Sequence, residues 1–488
     1  MWLVIGGLAG LDRDEACHLL RRTGFGVHPD DLAAFLPLSR EQAVDRLLSE
    51  VRTVAATSPP EWATAKVLGA AIALRRETWR EIWALPDGED RNRRAEAQRR
   101  VEAVEAGDLR AWWMRELIGT PSPLTERLVL FWHNHFTSQL SVVQDARLMY
   151  EQNVLFRRQA AGNVAELLLA IVHDPAMFVY LDGASNVAGH PNENFAREVM
   201  ELFAIGEGFY SETDVREAAR AFTGYRTDPG TGRPVKDEEQ HDHERKSILG
   251  NKGVFDGDGV IKILLTREER VAVHLSEKLW REFVDDELDA KAVYQLAATL
   301  YRNRYELKPL LRVILLSDHF WDRKRRGGLI RSPVDLYVGT VRSLGLTVRD
   351  HQALVVLARD AGQFLFEPPN VKGWPGGRAW LGSQGLLIRN EGLAAIRTGL
   401  LQRGGEREAG GMMGDPATAK SGAAKSGTAA LPGQLDSAVL ASLRSQGAAA
   451  AASMITLQLP LPPAPPITTS DVDAALAAIH GDLACQLR

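Results

Sequence analysis

Apolar residues recur at three- and four-residue spacing through most of the first 400 positions, the period of a helix with one buried face. The spacing predicts helices over 30–36, 39–48, 125–136, 164–171, 192–205, 211–222, 267–284 and 290–300. Ser39 stands three residues before Gln42, which is capping-box spacing, and Ser211 is placed to cap the helix that follows it. Residues 61–118 read as long charged helices, with Trp79 and Trp83 one turn apart and a break at Pro86-Asp87-Gly88. Alternation of strand type is sparse. A small β-hairpin is expected within 253–265, turning at Asp256-Gly257-Asp258-Gly259. There is no repeat of fixed period and no regular exchange of strands with helices. The expected fold is mainly α, a large single irregular helical domain over residues 1–402.

Beyond that point the pattern changes. No Phe, Tyr or Trp follows Trp380, and aromatic side chains dominate core burial. Residues 403–433 are mostly Gly, Ala, Ser, Thr and Pro, too little apolar surface to offset the entropy of ordering. A run of prolines over 459–466 favours extended polyproline II. The reading is a Gly/Ala/Pro-rich flexible region over 403–468, with a weak Ala-rich helix at 435–452. A short C-terminal helix over 469–488 follows, capped by Ser470, with Val472, Leu476 and Ile479 on one face.

Composition narrows the function classes. Of 488 residues 45% are hydrophobic and 25% charged, the range of soluble globular chains. A net charge of −5 lacks the basic footprint of a dedicated nucleic-acid binder, and the cluster Arg323–Arg331 is its only support. Two cysteines, Cys17 and Cys485, exclude a disulfide scaffold and a Cys-rich zinc module. Met1–Leu11 is apolar, but no Lys or Arg precedes it, no Ala-x-Ala-like site follows, and it is too short to span a bilayer. The chain as given is therefore expected in the cytoplasm, without a transmembrane segment.

Candidate chemistry sits in four segments. In 131–136, Phe-Trp-His-Asn-His-Phe, His135 shares a stripe with Leu128, Phe131 and Trp132, whereas His133 points about 160° away around the axis. The plain expectation is a hydrogen-bonded core His135 and an exposed His133; the two imidazoles converge on one metal only if the helix unwinds there. In 192–205, Glu198 points into the buried half, where a carboxylate must be paired, protonated or metal-bound. Glu201 and Asn194 lie on its border, and Arg197 stands four residues before Glu201 as an ion-pair alternative. Glu217, in the next helix, reads as a solvated charge. Residues 241–250, His-Asp-His-Glu-Arg-Lys-Ser-Ile-Leu-Gly, concentrate His241, Asp242 and Lys246 in a density that suits acid–base or metal chemistry. The run Pro368–Gly377 demands a rigid loop, with Trp374 as its anchor or as a stacking platform, the anchor being favoured. No phosphate-binding glycine loop, Gly-x-Ser-x-Gly elbow or cysteine nucleophile is present.

The leading expectation is a metal-assisted or acid–base hydrolase-type enzyme. Glu198 or Glu201 serves as base or ligand and Asn194 sits at the site's border. His133, His135, His241 and Asp242 hold a divalent metal, while Lys246 or Arg197 stabilises negative charge. The alternative is a non-catalytic scaffold in which the same residues form a buried polar network. Taken in order, His18–Gly26, Phe131–Phe136, Asn192–Leu202, Asp214–Gly224, His241–Gly250 and Pro368–Gly377 resemble the bacterial "domain of unknown function 1800" family, over about residues 14–400 and weakly over the last 20. That resemblance implies a mostly helical protein without a settled activity, and gathers His135, Asn194, Glu198 and Asp242 into one site. It also implies relatives that carry export signals and lie beside genes of a sulfatase-like family, hence a sulfatase-like partner. This chain departs in lacking a clear signal, and in having Cys485 where relatives tend to have an aromatic before the Gln.

Overall fold

A computed structural model describes residues 10–64, 68–228, 233–398, 460 and 472–488. The architecture is mainly α, as the apolar spacing predicts, with two small antiparallel strand pairs among the described residues. Local signals decide where helices begin. Asp12 and Glu15, Ser39 and Gln42, and Ser211 and Asp214 form reciprocal capping boxes at the starts of Arg13–Thr23, Arg40–Ser49 and Glu212–Ala221. The charged region 61–118 folds as the helices Leu68–Ala84 and Glu89–Gly119, separated where Pro86 and Gly88 interrupt the pattern. Trp79 and Trp83 stack, and Trp79 donates its indole N–H to Glu102 across that helical hairpin at 2.7 Å.

Two helices form the centre. Pro123–His135 has eleven of its thirteen residues buried, and every residue of Pro333–Ser343 is buried. The first packs against Arg13–Thr23, Glu89–Gly119 and Ala146–Arg158. The turn after Arg13–Thr23 reaches Pro333–Ser343 because Gly26 lacks a side chain. Gly26 has φ +71°, and a Cβ there would stand 2.4 Å from the carbonyl oxygen of Gly339.

The hairpin lies elsewhere than expected. Tyr225–Thr227 pairs with Pro234–Lys236, and Lys246–Ile248 with Asn251–Gly253. Leu249 and Gly250 both take positive φ, the demand of a tight two-residue turn of type I′. Asp256, expected in the turn, instead caps the helix Gly257–Leu265 by accepting from the N–H of Gly259 at 3.0 Å. Val260, Ile261, Ile263 and Leu264 are buried, so helical periodicity prevailed over the Asp-Gly turn signal.

The last residues are built into the helical body. Val472–Gly481 packs on Ser383–Thr398, with Leu476 and Ile479 buried as expected. Residues 483–488 then run as a strap past residues 329–331. Leu487 bridges Ile330, and the N–H of Arg488 donates to the carbonyl of Leu329 at 2.8 Å. The low-complexity region, its weak helix at 435–452 and the Ser470 cap lie outside the described residues, Pro460 apart.

Two clusters of buried charge at this centre are paired. The Arg157 guanidinium forks onto Glu126 at 2.6 and 2.9 Å with both side chains out of water, and the Trp113 indole also donates to Glu126 at 3.0 Å. Arg127 bonds Asp335 at 3.0 Å and approaches Glu282 at 3.5 Å. Arg488 of the strap completes that cluster with Glu282 at 2.9 Å and Asp335 at 3.7 Å. Breaking a buried pair strands its other charge, so Glu126→Gln or Arg157→Met should each lower the urea-unfolding free energy by about 3–5 kcal/mol. The double replacement Glu126→Leu with Arg157→Met should cost less than either alone. A loss below about 1 kcal/mol for Glu126→Gln would contradict the structural role assigned to the pair.

Candidate functional site

The C-terminal end of Pro123–His135 opens on a cleft of about 520 Å³. One wall is the helix Glu268–Phe283, which contributes Lys278, Arg281 and Glu282. The facing wall is the loop 372–378 with Trp380 behind it, and Arg488 of the strap closes a third side. The loop is pinned to the central helix by Asn134, whose Oδ1 accepts from the N–H of Trp374 at 2.7 Å. Gly373 has φ +89°, and a Cβ there would lie 2.2 Å from that same Oδ1, so only glycine permits the approach. Trp374 is buried and packs on His133, which agrees with its reading as an anchor.

At the deep end of the cleft stands a three-member polar cluster. The segment after Glu193–Glu198 is wound as a π-helix over Val199–Ala204, with Ile205 N donating to Met200 O, and it ends at Gly206 with φ +82°. Its last carbonyls are captured by side chains. His135 Nε2 bonds Phe203 O at 3.2 Å, His274 Nε2 bonds Leu202 O at 3.0 Å, and Lys278 Nζ donates to Leu202 O at 3.2 Å. A carbonyl only accepts, so His135 carries its proton on Nε2. Its Nδ1 is therefore a lone pair, and Lys278 Nζ donates to it at 2.9 Å. Burial, reinforced by the Lys278 charge, holds His135 well below its ordinary pKa and keeps it neutral. Burial, with Arg281 beside it, lowers Lys278 to about 8. Farther along the cleft, burial and the neighbouring Asp285 push the Asp286 carboxyl up, against the pull of Arg488 and Arg281.

Of the candidate catalytic and metal-binding residues read from sequence, His135 alone lines this cleft. His133 is not exposed: 1% of its surface reaches solvent, because Trp113, Phe156, Phe366 and Trp374 enclose the ring. Burial drops it to about 3, and its Nε2 has no hydrogen-bond partner. Glu198 is half-buried and does not line the cleft. Burial and Glu201 raise its pKa, while Lys372, which does line the cleft, pulls it down. Glu201 accepts from the Tyr210 hydroxyl at 2.6 Å. Arg197 turns outward, to Glu193 at 3.1 Å and Glu212 at 2.7 Å, in place of the pairing with Glu201 that its spacing suggested. Asn194 packs its amide toward Leu181 O at 3.4 Å.

The 241–250 segment forms a separate network. His241 Nδ1 bonds Thr223 O at 2.9 Å. Burial raises the Asp242 carboxyl, but the Arg220 fork at 2.7 and 3.1 Å, the Glu244 N–H and Lys246 together hold it at about 2. Lys246 is buried, with Nζ donating to the carbonyls of Asp242 and Glu244. Glu217 is not a solvated charge either, since it accepts from Arg220 at 2.9 Å and from the Ser247 N–H at 2.9 Å, tying the Lys246–Ile248 strand to its helix. His133, His135 and the His241–Asp242 pair thus occupy three different surroundings and cannot share one ion. Among the described residues no group of three or more His, Cys, Asp or Glu is placed to hold a metal.

Lys278, Arg281 and Asp286 went unnoticed in the sequence. A signal was there: Arg270, His274, Lys278 and Arg281 fall within roughly 80° of helix circumference, a cationic stripe beside a strongly apolar face. Such stripes are ordinarily solvated; here Arg270, His274 and Lys278 meet carbonyls of the π-helical turn and its C-terminal end, and Lys278 and Arg281 line the cleft.

A family model described as "Protein of unknown function (DUF1800)" matches residues 18–476. No curated protein and no solved structure matches the chain. No helix among the described residues is long and apolar enough to cross a membrane. With a match that runs through the central helix, the π-helical turn and both walls of the cleft, the chain belongs to the DUF1800 family.

Proposed function

We propose that the cleft is the site of an acid–base enzyme of hydrolase type, in which Lys278 and Asp286 exchange protons with the substrate. One observation carries the reading. Lys278 is largely buried, forms no ion pair among the described residues, and is held by a neutral imidazole and a carbonyl on the wall of an open cleft. A structural lysine so enclosed ordinarily meets a carboxylate. Lys278 is lowered and Asp286 raised, so the two shifts bring an amine and a carboxyl toward the range in which both transfer protons near neutrality.

Lys278, mostly protonated at neutral pH but more acidic than an ordinary lysine, donates to a leaving group. His135 and Leu202 O fix where its nitrogen sits. Asp286 activates water, and Arg281 stabilises the negative charge that develops. Glu198 stands beside the cleft through Lys372 as a second carboxylate. In this reading His135 keeps its place as a site residue, and Lys278 takes the part expected of Lys246 and Arg197. A non-catalytic scaffold, with or without a sulfatase-like partner, is the second reading. The 241–250 network favours it, because His241, Asp242 and Lys246 each find partners inside the protein.

Competitive acetylation with limiting acetic anhydride, followed residue by residue by mass spectrometry across pH, should show Lys278 half-reactive near pH 8. An ordinary value above 10 would overturn the assignment. Stability carries the same signature. An amine lowered from 10.5 to about 8 destabilises the folded state below pH 8, and the penalty disappears as pH rises to 10.5. Wild-type stability should therefore rise relative to Lys278→Met over that window, by about 3 kcal/mol at most. On any nitrophenyl carboxyl or phosphoryl ester that the protein turns over, Lys278→Met and Asp286→Asn should each reduce turnover by about a hundredfold or more. Unchanged turnover in both would remove them from the chemistry.

A further inference from the structure

The charges around the cleft divide into two sets. Arg127 and Arg488 are already neutralised by Glu282 and Asp335. Lys278 and Arg281 on the helical wall, and Lys372 and Arg378 on the loop wall, make no ion pair with any described residue. Lys278 and Arg281 stand close enough for the Arg281 charge to count among the causes that lower Lys278. Like charges held together at a half-enclosed surface cost free energy that a folded chain ordinarily relieves with a carboxylate. Here the remaining acid of the lining is Asp286, whose own ionisation is disfavoured by burial and by Asp285. Four cations of the lining against Asp286, with Glu198 near Lys372 outside it, leave the cleft positive while the whole chain carries −5.

We infer that the cleft binds a polyvalent oxyanion, a ligand bearing two or more phosphoryl or carboxylate charges, which bridges Lys278 and Arg281 on one wall to Lys372 and Arg378 on the other. The inference names the substrate class for the site proposed above and rests on that reading for its catalytic meaning. Guanidinium forks suit planar and tetrahedral oxyanions alike, and the two ammonium groups add point charges without demanding one geometry. Trp374 and Trp380 are buried among the lining and set apolar surface beside these charges, while Arg281, Lys372 and Arg378 are exposed and reachable by a dissolved anion. Asp286 sets a boundary: a ligand charged along its whole length would meet repulsion there.

Isothermal titration of the full chain with inorganic pyrophosphate, inorganic phosphate and citrate, each at ionic strength matched with NaCl, tests this. Pyrophosphate or citrate should bind more tightly than phosphate, and the two together separate a phosphoryl from a carboxylate preference. Arg281→Gln with Arg378→Gln should weaken binding about tenfold or more, given two lost charge-assisted contacts. Arg323→Gln with Lys324→Gln, an exposed basic patch outside the cleft, should leave it unchanged. The bound anion should also raise the acetylation midpoint of Lys278, because a neighbouring negative charge favours the ammonium. Binding equal in the two double variants, or no preference for polyvalent ions over chloride, overturns the inference. So does a Lys278 midpoint that ignores a bound anion. The two proposals fail separately. A midpoint above 10 in the free protein sinks the acid–base reading while pyrophosphate binding stands, and a midpoint near 8 with no anion binding does the reverse.

Discussion

The helix Pro123–His135 has almost no solvent face, and its polar side chains dictate where much of the remaining chain must go. A charge carried into the interior is tolerated only with a partner in good geometry. Glu126 therefore requires Arg157 from Ala146–Arg158. Arg127 requires Asp335 from the second buried helix, and Asn134 takes the loop N–H of Trp374. His135, at the end of the same helix, draws in the π-helical turn through Phe203 O. Each contact joins positions far apart in sequence, so one buried helix organises most of the fold.

The cleft follows from the same constraint. It forms where this helix ends, between the segments that its last polar residues hold apart. The electrostatics there differ from those of the interior only in being incomplete. Arg127 and Arg488 find their counterparts in Glu282 and Asp335, and the strap 483–488 brings Arg488 more than 140 positions in sequence beyond Asp335 to complete the cluster. A few side chains away, Lys278 and Arg281 form no ion pair among the described residues, and it is this difference on which the proposed site rests.

Much of the fold was legible because it rests on local physics. Capping boxes at Ser39 and Ser211, the break at Pro86-Asp87-Gly88 and the 3.6-residue spacing of apolar side chains act over a turn or two. They are the same in the sequence as in the structure. The exception, Asp256-Gly257, is instructive. Asp-Gly opens turns and caps helices with equal ease, and the choice fell to the buried face of Val260 and Leu264, which needed a helix to reach the core. The site was far less legible. His135 was placed on the buried side because its stripe was apolar. His133 was misplaced because a helix drawn alone has an outside, and Phe366 and Trp374 arrive from more than 200 residues away to cover it. Asp242 looked reactive because its partner Arg220 lies outside that short segment, and Lys246 because its partners are backbone carbonyls, which the side-chain pattern does not show.

The sequence by itself determined that this is a mainly helical chain, where several of its helices start, that its apolar faces are sufficient for a large core, and to which family it is similar. These depend on propensity, periodicity and motif order, which short stretches of chain carry complete. Only the tertiary structure decided which charges are neutralised. A lysine is a surface group, a salt-bridge partner or a proton donor according to what stands within a few ångströms of its nitrogen. For Lys278 that neighbourhood is a histidine 143 positions earlier and a carbonyl 76 positions earlier, on elements brought together by packing alone.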